Sequence, residues 1–494
     1  MTTEATYTST RRLKARCLNP ADMARVKACC AQCGVIRKRI WQKYGALGTV
    51  GRTVTSICKE IKDLRLCEDL DMDKTTRNES VKDIVNDIFT YRAASEKKVR
   101  EKIAKRYSGK DADSVAECKK KYKLLRDGEW LSDSFLHRQM RRHFKHGVGH
   151  ADNQFVVRSD KFLVYVENGR CILEIRWPKD PKGNLKLELY SNGNNLHLIG
   201  RNLRVIVDDD EIYIHYAFER KCSRGCGNSM TGLDKGFTEG GIASNGMVLA
   251  KGLGKLIRDY VEQRNESVTA RNKLLAIAEK YKEQGDIKTY NNIMENNLGK
   301  KKLNHRLNKF KSQVRNLFCK DLHVLMDSTG LLVAEDLARY FKGKNFGAKM
   351  NRWLANWIKG DLQECIKGVT TLRGCQLELV NAAYTSQIDA QTGVLSGQRK
   401  GDRFYRETGD VVQADINAAL VIAMRAVDPE ISRYMSHTKV KEILDRRTKE
   451  YREAVAASGG RADNCHWPSK DSSWMTPHLE QARKILAESG NNRK

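Results

Sequence analysis

Apolar positions recur every three or four residues from about 20 to 146, then every second residue from 153 to 218. That change of period divides the chain. In the first stretch Ile57, Ile61, Leu64 and Leu66 mark apolar helix positions, and charge runs such as EKKVREKIAKR (96–106) and KKKYK (119–123) cover the other faces. Residues 21–146 are expected to form a helical lobe ending in the basic run HRQMRRHFKH (137–146). In the second stretch FVVRS, FLVYVENGRCILEIRW, LKLELYS and LRVIVDDDEIYIHYAF read as five or six antiparallel strands, turning at Asn168-Gly169 and Asp208–Asp210. Residues 1–20 with 147–225 are expected to build a small β-barrel.

From about 226 the two periods mix. MTGLDKGFTEGGIASNGMVLA reads as strand, glycine-rich hairpin and strand, followed by long helices over about 254–327. Within GKKKLNHRLNKFKSQVRNLF, Lys302, Arg306, Lys309 and Arg315 share or adjoin one helical face. LLVAEDL (331–337) and CQLELV (375–380) return to strand. RWLANWIKGDLQECI (352–366) sets Trp353, Leu354, Trp357, Ile358 and Leu362 on an amphipathic stripe, read as core before base-stacking. INAALVIAMRAV is a helix, and 428–494 a helical then polar extension. The expected fold class is α+β multidomain.

Length and charge narrow the function. A chain of 494 residues exceeds one ordinary core, so two to four domains are expected. Lys and Arg total 90 against 61 Asp and Glu, a net charge of +29, which repels itself unless an anionic partner absorbs it. The basic residues are spread along the chain, which favours a long nucleic-acid groove. MTTEATYTSTRRLKARCLNP has no apolar core of signal-peptide length, and no run approaches the ~18 apolar residues of a membrane span, so no membrane partner is expected. Fourteen scattered cysteines suit a reducing compartment. Cys30-Ala-Gln-Cys33 has knuckle spacing but no completing pair, and with Cys29 beside it reads as buried thiols. The pair Cys222 and Cys226 admits zinc but favours unligated thiols.

Three acids stand out by context. Asp234 lies in GLDKG at the end of a strand, Glu335 ends the apolar run LLVA, and Asp415 opens the helix ADINAAL. Taken singly, each is more often a turn, solvated or cap residue. Taken together, they can meet over one mixed sheet, where three carboxylates need a cation; hard oxygen ligands suit Mg²⁺ or Mn²⁺. Two such ions, about 3.5–4 Å apart, would serve phosphodiester hydrolysis.

In order and context these segments resemble the RuvC-type nuclease domain of TnpB proteins and of the related type V CRISPR effectors. GLDKGFTEGGIASNG matches the first motif, LLVAEDL the second, and NAAYTSQ with ADINAAL the third, covering about 228–425. The resemblance implies an RNase H-like RuvC α/β domain over 226–380 and 411–427 with a helical insertion, a wedge-like barrel and a helical recognition lobe. It carries Asp234, Glu335 and Asp415 over as the metal-binding catalytic triad of a Mg²⁺- or Mn²⁺-dependent endodeoxyribonuclease. The implied partners are a guide RNA (repeat-derived or transposon-derived) and double-stranded DNA bearing a short adjacent motif. The implied setting is the prokaryotic cytoplasm and nucleoid, in antiviral defence, as monomer or homodimer. Arg403, Arg306, Lys309, Lys302, Arg141 and Arg142 are the nucleic-acid-binding candidates, with Arg403 either at the scissile phosphate or on a guide or target backbone. The chain departs from the family at 381–410. There the four zinc-knuckle cysteines are replaced by Asp389, Thr392, Tyr405 and Thr408, while Gly393 and Gly409 remain. Zinc is therefore not expected, and the loop is expected to be held by packing or hydrogen bonds. A transposon-encoded nuclease, an RNA-guided repressor and a DNA transposase are the other readings.

Overall fold

The computed structural model describes residues 6–108, 112–145, 151–177, 183–191, 199–221, 224–298, 301–336 and 359–457. Trp353, Leu354, Trp357, Ile358, Cys222 and the side chain of Lys302 lie outside what it describes. Two compact units divide the chain, one spanning Thr6–Lys221 and the other beginning at Cys222.

In the first unit β1 (Thr6–Cys17) runs beside strands far along the chain. The helices α1 (Asp22–Tyr44), α2 (Val54–Asp63), α3 (Lys74–Arg106), α4 (Ala112–Arg126) and α5 (Ser134–His143) come next. They are followed by β2 (Gln154–Val157), β3 (Phe162–Glu167), β4 (Arg170–Ile175), β5 (Leu185–Leu189), β6 (Leu203–Asp208) and β7 (Glu211–Lys221). The seven strands form one antiparallel sheet in the order β2-β6-β7-β1-β5-β4-β3. Asn168-Gly169 and Asp209-Asp210 all take positive φ, as a two-residue hairpin turn requires for its twist to match the strands.

The expected small β-barrel is a curled half-barrel: among the described residues its end strands β2 and β3 are not paired. Closure is not needed to bury the apolar face, because Val26, Cys29, Cys30 and Cys33 of α1 pack against Leu173, Leu187, Val205 and Ile214. The expected apolar helix positions also stop short. Ile57 and Ile61 are buried, but α2 ends at Asp63 and leaves Leu64 half exposed.

The second unit holds β8 (Ser229–Asp234), β9 (Gly241–Ala243), β10 (Val248–Leu249), α6 (Leu253–Glu283), α7 (Ile287–Asn292), α8 (Lys301–Leu325) and β11 (Thr329–Glu335). After it come α9 (Lys359–Arg373), β12 (Gln376–Val380), β13 (Gly397–Lys400), β14 (Arg403–Arg406), β15 (Val411–Gln413), α10 (Ala414–Arg425) and α11 (His437–Ala457). A five-stranded mixed sheet runs β10-β9-β8-β11-β12, with β8, β11 and β12 parallel. A continuous apolar run such as LLVA suits a strand covered on both faces. Leu332 and Ala334 face a stripe of α8 (Phe310, Val314, Phe318, Leu322), while Val333 packs on Ile422 of α10. Gly232 permits that second contact, since a Cβ there would fall 1.9 Å from the Ala419 carbonyl oxygen.

Candidate functional site

Strand register brings two of the three acids side by side. Leu233 pairs with Ala334, so Asp234 and Glu335 leave the C-terminal ends of adjacent parallel strands. Crevices at that edge of open α/β sheets are where ligands bind. Asp415 comes from the first turn of α10; its cap is Gln413, whose side-chain oxygen accepts the Ile416 N–H at 2.5 Å. The Gln413 amide also donates to Asp415 Oδ2 at 3.2 Å.

The charges are unbalanced. Burial first, then the neighbouring Glu335 and Asp415 carboxylates, push Asp234 from 3.8 up to about 7, with Arg399 and Lys235 opposing. Glu335, 7% exposed, is also raised by burial, against the pull of the Thr385 hydroxyl, Lys235 and Arg425. Lys235 Nζ donates to the Glu335 backbone oxygen at 2.7 Å and to Gln363 at 2.8 Å, so it steadies the strand end. Arg425, 2% exposed, makes one long contact with the Ala383 carbonyl (3.4 Å), and burial lowers it to about 10. Asp336, beside Glu335, turns away to Arg433 at 2.8 Å.

Arg399 on β13 donates to Asp415 Oδ1 at 2.6 Å and is close enough to lower the proton affinity of Asp234. Three hard, anionic oxygen donors with one arginine among them fit the chemistry of Mg²⁺ or Mn²⁺. As placed, the acids are not a closed shell: among the described residues no group of three or more His, Cys, Asp or Glu is positioned to hold a metal ion. Beside them opens a cleft of about 760 Å³ lined by Ser386, Gln387, Gln398, Arg399 and Asp402.

The loop that lacks its cysteines is an ordered three-stranded sheet, β13-β14-β15. Asp389 is buried and paired with Arg406 at 3.1 Å, their side chains 2% and 6% exposed. Thr392 and Ser396 share a hydrogen bond of 2.6 Å, Thr408 donates to Asp410 at 3.0 Å, and Tyr405 is exposed. Gly393 and Gly409 hold φ of 74° and 91°, a left-handed conformation glycine adopts without steric cost. Beneath lie Ile388, Phe404, Val412 and Leu420, and Asn417 fixes the base through Ile388 O (2.7 Å) and Ala390 N (3.0 Å). Packing and hydrogen bonds hold this loop together.

The other expected nucleic-acid-binding residues that are described sit on β14, α8 and α5. Arg403 is exposed on β14, while the arginine that reaches Asp415 is Arg399. Arg306 and Lys309 are exposed on α8, and Arg306 bonds Ser267 at 2.6 Å. Arg315 turns to Asp361 at 2.6 Å. Arg141 and Arg142 are exposed in the last turn of α5. Sequence reasoning passed over Arg399, Lys235, Gln413 and Arg425, whose only local signal was the position of Gln413 just before a helix.

Among the solved structures that resemble this chain are two nucleic-acid complexes. The chain is similar over 87% of its length to all of Cas12f1 in a Cas12f1-sgRNA-target DNA complex, at 14% identity and a TM-score of 0.41. Over 95% of its length it is similar to 64% of Cas12i1 in an R-loop complex after target DNA cleavage, at 12% identity and a TM-score of 0.29. Both are compact type V CRISPR effectors. No family model and no curated protein matches the chain. Both likenesses are low, and the functional reading rests on this chain's own residues. No described helix is long and apolar enough to cross a membrane.

Proposed function

We propose that this chain is an RNA-guided DNA endonuclease of the type V effector kind, cutting guide-complementary DNA at a single RuvC-like site. One observation carries the reading: Asp234, Glu335 and Asp415 approach one another from two adjacent parallel strand ends and a helix start, close enough that the other two carboxylates add to burial in lifting Asp234 to about 7.

Asp234, Glu335 and Asp415 would hold Mg²⁺ or Mn²⁺. Such an ion, when bound, lowers the pKa of its water and polarises a phosphodiester. The chain's own residues do the rest. Glu335 is set by the end of β11, Asp415 by the Gln413 cap, and Asp234 keeps one face open. Arg399, at the mouth of the adjoining cleft, is placed to meet a phosphate once it leaves Asp415. The net charge of +29 matches a guide RNA and target DNA held mostly by their backbones, with base pairing supplying sequence recognition.

Alanine at Asp234 or Glu335 is expected to abolish Mg²⁺-dependent cleavage while guide-dependent DNA binding stays within about twofold, since neither group need touch the heteroduplex for binding. Undiminished cutting by either purified variant overturns the site. A guide-directed binding protein with little cleavage is the second reading, favoured by the Arg399–Asp415 ion pair. Incubating the wild-type complex with target DNA and Mg²⁺ decides between them.

A further inference from the structure

After Val380 the chain turns beneath the acids, and side chains fix that turn at three points. Asn381, 5% exposed, accepts the Ala383 N–H at 2.9 Å through Oδ1. Its Nδ2 donates to the carbonyls of Ser432 (3.1 Å) and Met435 (2.9 Å). Tyr384 holds φ of 63°, left-handed and costly for a bulky side chain. It is kept there by His437, the first residue of α11: the rings lie 4.2 Å apart, and the phenol oxygen is 3.0 Å from Nδ1. Thr385, 4% exposed, is next, and donates Oγ1–H to Glu335 Oε1 at 2.5 Å. A hydroxyl has one proton, and the Ala382 carbonyl, 3.3 Å away, competes for it only at longer range, so the shorter bond to the carboxylate prevails.

The consequence concerns a carboxylate that could otherwise rotate. Glu335 has one oxygen, Oε1, held by Thr385, which leaves Oε2 for whatever Asp234 and Asp415 share. Groups of this kind, which bond a ligand's far side, orient it and set its basicity. A backbone held in a strained conformation by two independent anchors is what a positioning role needs and a plain connection does not.

We propose that Thr385 is the positioning residue of Glu335, and that the ring contact and hydrogen bond of Tyr384 with His437 make α11 part of the site's support. The inference rests on the assignment of Glu335 as a metal-binding acid. Its test is a Mn²⁺ titration of the purified full-length protein, reading free Mn²⁺ by electron paramagnetic resonance, with thermal unfolding measured in parallel. Thr385→Val, which keeps the shape and removes the hydroxyl, is expected to weaken Mn²⁺ about 10-fold or more, the effect typical of outer-shell partners. Thr385→Ser is expected to restore affinity to within about threefold, and His437→Ala to weaken it about threefold to tenfold. In cleavage assays Thr385→Val should lower kcat with little change in KM for DNA.

Glu335→Gln separates the two claims. If it loses Mn²⁺ while Thr385→Val binds Mn²⁺ as the wild type does, the positioning role is overturned and the acid assignment stands. If Glu335→Gln itself binds Mn²⁺ and cuts like wild type, the acid assignment has failed. Wild-type affinity in His437→Ala overturns the part given to α11.

Discussion

Replacing Asp234 with Asn should make the metal-free protein more stable, and the gain should depend on pH in a stated direction. In the fold the Asp234 carboxyl titrates near 7; unfolded, it titrates near 3.8. A folded value above the unfolded one means that folding favours the protonated form. Below about pH 4 the group is protonated in both states and costs nothing. As pH rises from 4 towards 7 the folded protein must either keep a proton or bear an uncompensated charge, so wild-type stability falls, and above 7 the full cost is present. A difference of about three in pKa, at about 1.36 kcal/mol each, sets an upper bound of ~4 kcal/mol. Urea unfolding of both proteins in chelator, from pH 4 to pH 8, measures the gap. It should be near zero at the acid end and about 2–4 kcal/mol at pH 8, with the variant more stable. Saturating Mg²⁺ should close much of it by binding only the wild-type fold. Equal stability at pH 8, or a gap that does not close on acidification, would refute the claim that burial and the neighbouring acids disfavour the charge on Asp234.

Two further outcomes concern the arginines. Arg399→Ala frees Asp415 from a partly exposed ion pair and should tighten Mn²⁺ binding by about twofold to fivefold, the worth of such a pair, as read by titration; unchanged or weaker binding would show that Arg399 does not compete with the ion. Arg406→Ala leaves Asp389 buried and unpaired, and should cost about 3–5 kcal/mol in urea unfolding at pH 8, less on acidification because burial already raises Asp389. The double change Asp389→Leu with Arg406→Met should recover most of that loss.

Where a residue's role follows from its place in one element, it could be read from the chain. Glu335 is the first charge after a buried apolar run, and Asp415 lies in the first turn of a small-residue helix, so each position is stated by its neighbours. Roles that depend on two distant segments meeting could not be. Arg399 and Arg403 are indistinguishable in sequence; only the hairpin decides which one reaches Asp415. Asp389 read as a missing cysteine because its partner, Arg406, looked like any other basic residue. Residues 1–20 were expected with the barrel, but β1 was not marked out within them, because only Leu13, Ala15 and Cys17 of it meet the core and its first half is polar on both faces. The strands of the sheet were legible from their period, but its closure was not, since period says which face is buried and nothing about which edge pairs.

The parts that could not be read share one property, which bears on how the site is held. A carboxylate at a folded pKa near 7 and a tyrosine at φ 63° are both local losses, tolerated only where other contacts over-determine the structure. Those contacts come from after residue 380: Thr385 on Glu335, Arg399 on Asp415, Arg433 on Asp336, and the ties from Asn381 and Tyr384 to residues 432–437. The strands β8 and β11 supply the acids, yet every one of these supports lies C-terminal to them in sequence. A variant that unlocks the 381–388 turn should therefore disturb the site before it disturbs the sheet, because Leu233, Leu332 and Ala334 keep their packing on α8 whatever that turn does.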